Sequence, residues 1–103
     1  MGKDPIIISA TIKPSTLRKI KDSDAFTALI TPNFVEEPAR FEECKAAKDL
    51  DKLMYAIVLK GTNWDKFKVF PWRGIYHSTG NDIDKISKKI GEDIRLVRSI
   101  NRM

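Results

Sequence analysis

Apolar residues recur along this chain with two different periods. Ile6, Ile8, Ala10 and Ile12 alternate with Ile7, Ser9 and Thr11, the period-two pattern of a half-buried strand. Lys13-Pro14 ends that pattern, and Ser15 can cap a short helical turn that points Leu17 and Ile20 inward and leaves Arg18, Lys19 and Lys21 in solvent. The segment Ala25-Phe26-Thr27-Ala28-Leu29-Ile30 fits either period, and the abrupt Thr31-Pro32-Asn33 after it favours a strand over about 25–31. Glu36-Glu37-Pro38 then marks a helix start, with proline at the first helical position and two acids beside the positive end of the dipole. That helix is expected to run from Pro38 to Leu53.

From Met54 the pattern changes. Tyr55-Ala56-Ile57-Val58-Leu59 is short, apolar and β-branched, as a central strand would be, and Gly61-Thr62-Asn63 reads as a turn. Residues 66–70 split by period two, with Phe67 and Val69 on one face and Lys66, Lys68 and Phe70 on the other. Phe70 to Gly74 reads as a second turn, so that Ile75-Tyr76-His77 returns as a further strand and residues 54–78 make an antiparallel meander. At the C-terminus Asn81 suits an N-cap, Asp82 and Asp84 suit a first turn, and Ile83, Ile86, Ile90, Ile94, Val97 and Ile100 form one apolar stripe. Lys88, Arg95 and Arg102 are stacked seven apart on the opposite side. The fold expected is α+β: a small antiparallel sheet, made of the N-terminal strand and the meander, covered by two helices of which the C-terminal one is longer.

Composition narrows the class. At 103 residues, 42% hydrophobic and 32% charged, the chain suits one globular domain over 1–103. The longest uncharged apolar run, Leu53 to Leu59, is far below the roughly 18 residues that suggest a membrane span. No signal-peptide pattern precedes Ile6, which gives the expectation of a cytoplasmic protein without a membrane partner. Cys44 and His77 are single copies, so neither an intrachain disulfide nor a Cys/His zinc site can be built from one chain. The five glycines are isolated and form no phosphate loop, and no cofactor or metal is expected. Oligomeric state is open.

The formal charge of +5 is unevenly spread: residues 22–53 carry −4 between basic segments on either side. Residues 60–80 carry +3, and the stretch 60–77 holds both tryptophans and His77. Aromatic rings among cations suit a surface that stacks bases and neutralises phosphates. The leading expectation is therefore a small basic, non-enzymatic nucleic-acid-binding protein, for DNA or RNA. Lys60, Lys66, Lys68, Arg73, Lys88, Arg95 and Arg102 would contact phosphates, and Phe70, Trp72 and Tyr76 would offer stacking faces. A protein-binding regulatory module docking on a larger complex is the alternative, because exposed Trp, Arg and Tyr are also what interface hot spots contain. A third reading is a single-histidine endoribonuclease, with His77 as the proton-transfer group and Arg73 for the phosphate. No catalytic residue is assigned.

Residues 87–100 also resemble a helix-turn-helix DNA-binding unit. Ser87 lies four residues before Gly91, and Val97 and Ile100 lie six and nine after it, the spacing of that unit's packing residues. Glu92 and Ile94 depart from the pattern, and the stripe running through Gly91 favours one uninterrupted helix.

Overall fold

The computed structural model describes residues 14–102, and the strand expected over residues 6–12 lies outside the described residues. In chain order the elements are α1 (Pro14–Asp22), β1 (Ala25–Ile30), α2 (Pro32–Glu36), α3 (Pro38–Asp49), β2 (Leu53–Leu59), a short 3₁₀ helix (Asp65–Phe67), β3 (Gly74–Ser78) and α4 (Ile83–Arg102). The three strands form one sheet in the order β1-β2-β3, and both pairings are parallel. Ala25 pairs with Leu53, and Tyr55 with Gly74.

This corrects the antiparallel sheet expected from sequence. Residues 66–70 are not a strand; they are a 3₁₀ turn and its continuation, within a connection that carries the chain back to the start of the sheet. Parallel neighbours need a crossover of about a dozen residues or more, and residues 60–73 supply it without an α-helix. Trp64, which caps the 3₁₀ helix, Phe67 at its end and Phe70 in the turn after it are all buried, three residues apart. The helix expected to reach Leu53 ends at Asp49, and the described residues hold four α-helices where two were expected to cover the sheet. Residues 83–102 are a single helix with no turn at Gly91.

The end of α3 explains the early stop. Lys52 N–H donates to Ala47 O and Asp51 N–H to Lys48 O, each at 3.0 Å, which is the hydrogen-bond pair of a Schellman C-cap. Asp51 occupies the left-handed position with φ 58°. Upstream, Thr31 and Pro32 start a helix rather than only ending a strand: Thr31 Oγ1 accepts from Phe34 N–H at 3.2 Å, and Pro32 sits where no amide donor is needed.

Two cores flank the sheet. On one face Met54, Ala56, Val58, Ala28 and Ile30 pack against Ile20 of α1, Cys44, Ala46 and Ala47 of α3, and Trp64, Phe67 and Phe70 of the crossover. Phe34, Phe41 and Phe70 surround or adjoin the Phe67 ring at centroid separations of 5.3, 5.7 and 6.3 Å, so an aromatic cluster fills the place a second crossover helix would take. On the other face Tyr55 and Ile57 meet Ile86 and Ile90 of α4, with Tyr76 and Ile94 alongside. Successive crossovers of the same hand, moving in the same direction across a sheet, fall on one face. Both connections do so here, leaving the second face to α4.

Candidate nucleic-acid interface

The residues singled out in the sequence fall on two sides of the sheet. Lys66, Lys68, Phe70 and Trp72 belong to the crossover on the α3 side, whereas Lys88 and Arg95 belong to α4. Phe70 is only 6% exposed and lies in the core, so it presents no stacking face. Trp72 is half-buried: its indole N–H donates to Phe67 O at 2.8 Å, and its ring meets Phe70 edge-on at 6.1 Å. Tyr76 is half-buried against the core under α4. The aromatics of this stretch hold the crossover onto the sheet.

Several of its cations are also committed. Lys68 pairs with Asp65 at 2.9 Å, with its ammonium 5.5 Å from the Trp64 ring centroid. Lys66 is exposed, 5.4 Å from the Phe67 centroid. Arg73 is held by Asp93 of α4, through Nε to Oδ2 at 2.5 Å and Nη2 to Oδ1 at 3.3 Å, and the buried Tyr55 hydroxyl donates to the same Oδ2. The Arg73 guanidinium first, and then the Tyr55 hydroxyl, hold the Asp93 carboxyl below its ordinary range. Burial, with Asp93 beside it, pushes the Tyr55 phenol up to about 12, so Tyr55 stays a neutral donor. Lys60, at the end of β2, is exposed and joins no ion pair among the described residues.

The outer face of α4 differs. Lys85, Lys88, Lys89 and Arg95 are exposed, and none of them pairs with a carboxylate among the described residues. Asp84 and Glu92 share that face, while Arg98 reaches Asp24 at 3.2 Å. At 1.5 Å per residue, Lys85 to Arg95 covers about 15 Å of helix axis. Ser87, Lys88, Gly91 and Arg95 line a shallow depression where Gly91 has no side chain. The helix backbone carries Arg102, whose side chain lies outside the described residues. Lys85 and Lys89 complete this face and were not singled out in the sequence; their three- and four-residue spacing to Lys88 and Lys85 was the signal that placed them there.

At the carboxyl ends of β2 and β3 the structure brings together residues that the sequence left separate. Val58, Leu59, Lys60, Gly61, Thr62, Trp64, His77, Ser78 and Thr79 line a pocket of about 230 Å³. Ser78 is buried; its hydroxyl donates to Asp82 Oδ1 at 2.5 Å and accepts from Gly80 N–H at 3.0 Å, and this contact is the main cause that lowers the Asp82 pKa. Gly80, at φ 107°, makes the turn possible. His77 is exposed at the pocket, and no ion pair or side-chain hydrogen bond joins it to a carboxylate among the described residues.

No helix among the described residues is long and apolar enough to cross a membrane. Compared with known protein families, curated proteins and solved structures, the chain matches none.

Proposed function

We propose that the protein is a non-enzymatic nucleic-acid-binding protein whose principal contact is the outer face of α4. Lys85, Lys88, Lys89 and Arg95, exposed and free of carboxylate partners among the described residues, are the observation that carries this reading. Cations along one helix face meet phosphates spaced along a strand, and each contact releases counterions. The overall charge of +5 favours approach to a polyanion. The aromatic residues of the crossover take no part, because packing and hydrogen bonding occupy them.

The test is salt dependence. Binding to single-stranded and duplex oligonucleotides should weaken linearly on a log–log salt plot, and Lys88→Ala and Arg95→Ala should each reduce the slope by about 0.7–0.9. Both variants should keep the wild-type melting temperature, since both side chains are exposed. An absence of binding to either form at low salt would remove the proposal.

A second reading, docking on a protein partner, has its own observation. Leu96 and Ile100, four apart on α4, are 55% and 58% exposed. A partner held there would lose affinity on Leu96→Asp with little dependence on salt, opposite to the behaviour expected of the nucleic-acid interface.

A further inference from the structure

Among the described residues, α4 alone covers its face of the sheet. Every member of the core beneath it, from Tyr55 and Ile57 to Ile86 and Ile90, belongs to a strand or to α4 itself. The helix runs 20 residues without a break, and no second helix packs beside it on that face. Its outer surface is therefore open along its length.

The groups around α4 follow a definite order. At about 3.6 residues per turn, Lys88 and Arg95 lie roughly opposite the buried Ile86, with Ser87 and Gly91 on one flank and Lys85 and Lys89 on the other. Gly91 opens the shallow depression between Ser87, Lys88 and Arg95. Nothing inside the protein calls for glycine there: a Cβ would meet no atom within 4 Å, and the backbone is not in the left-handed region. Glycine weakens a helix interior, so its place on the outer face points to close approach by a body from outside.

Glu92 supplies the second observation. It stands three or four residues from Lys88, Lys89 and Arg95, the distance at which opposite charges pair on a helix, and it pairs with none of them. A face that only held phosphates would gain nothing from that carboxylate, nor from Asp84 nearby. Base edges, by contrast, include donors as well as acceptors.

Shape and charge select the occupant. A helix with its side chains is about 10–12 Å across, and the major groove of B-form DNA is about 12 Å wide and 8.5 Å deep. We propose that α4 enters the major groove of duplex DNA, with Lys88, Glu92 and Arg95 against base edges, Gly91 at the closest approach, and Lys85 and Lys89 on the phosphates of one rim. The inference rests on the nucleic-acid reading and adds to it the form of nucleic acid and the groove. Lysine and arginine donate to guanine O6 and N7 in that groove, and a carboxylate accepts from the cytosine amino group. A-form RNA has a major groove too narrow for side chains to read, and a single strand has none.

The experiment titrates the full chain with duplex DNA, duplex RNA and single-stranded DNA of matched sequence and length. Duplex RNA controls for phosphate charge alone. Duplex DNA should bind about tenfold more tightly than either other probe, and the bound protein should protect guanine N7 from methylation by dimethyl sulfate. Gly91→Leu fills the depression without an internal clash at Cβ, and should weaken duplex DNA about tenfold. Its melting temperature should not fall, because leucine is the better helix former. Equal affinity for the two duplexes, tighter binding of the single strand, or binding of duplex DNA with guanine N7 still reactive would each overturn the inference while leaving α4 as a surface for phosphates. Full affinity in Gly91→Leu would overturn it as well. If no probe binds at low salt, both the inference and the reading beneath it fall.

Discussion

Asp93 receives the Arg73 guanidinium through two hydrogen bonds, joining the residue that leads into β3 to the middle of α4. Asp93 also accepts from Tyr55 of β2, so one carboxylate links two strands and the helix that covers them. Because the folded-state pKa of Asp93 is depressed, the unfolded chain takes up the proton first as pH falls. The stabilisation is therefore present above about pH 4 and disappears as pH drops through the folded value. Urea unfolding across a pH series should show wild type more stable than Asp93→Asn at neutral pH, with the difference shrinking in acid. Tyr55→Phe should cost about 1 kcal/mol, the scale of one hydrogen bond.

Gly74 allows the first residue of β3 to lie against two tyrosines. A Cβ there would come within 2.9 Å of Tyr76 Cε2 and 3.2 Å of Tyr55 Cδ1. Gly74→Ala should lower stability by about 1–3 kcal/mol, as overpacking does, because the ring facing it belongs to the core under α4. Chemical denaturation measures this directly, and an unchanged midpoint would contradict it.

Asp51 holds a left-handed conformation at the C-cap of α3. Glycine adopts that conformation without the steric cost carried by a side chain. Asp51→Gly should therefore raise stability by about 1 kcal/mol, seen as a higher denaturation midpoint with an unchanged slope.

Cys44 is completely buried, and burial, with Glu43 beside it, pushes its thiol up to about 12. A thiol reagent at neutral pH should leave it unmodified until denaturant opens the core. Cys44→Ser would put a hydroxyl in the same apolar site and should cost about 1–3 kcal/mol.

Much of this fold was legible in short stretches. The segment over about 25–31, which fits either period and favours a strand, is a strand over 25–30, and the apolar run 53–59, the strand at 75–77 and the long helix from Ile83 lie where the residue pattern puts them. Strand direction did not follow from those stretches. Phe67 and Val69 alternate with lysines as an edge strand does, whereas Trp64, Phe67 and Phe70 follow a period of three, and the second pattern is the one that packs. Met54 to Val58 are buried on both faces, which is typical of a strand inside a parallel sheet and unlike the one-sided burial of a meander. Site residues were harder to read for a related reason. Aromatics beside cations look the same whether they face solvent or core, and only tertiary packing separates the exposed Lys60 and Lys88 from the committed Phe70, Trp72 and Arg73.

The all-parallel pairing also determines how the chain must assemble. Ala25 finds Leu53 only after α2 and α3 have been traversed, and Tyr55 finds Gly74 only after the crossover has closed. None of the three described strands can nucleate on a hairpin with its sequence neighbour in the sheet, so this pairing waits on loop closure and should form more slowly than a meander of equal length. The same topology makes the crossover tolerant of length at equilibrium, since doubling a flexible loop costs only about 0.6 kcal/mol. Residues inserted at the exposed Asn63, outside the buried trio, would therefore change the folding rate more than the final stability.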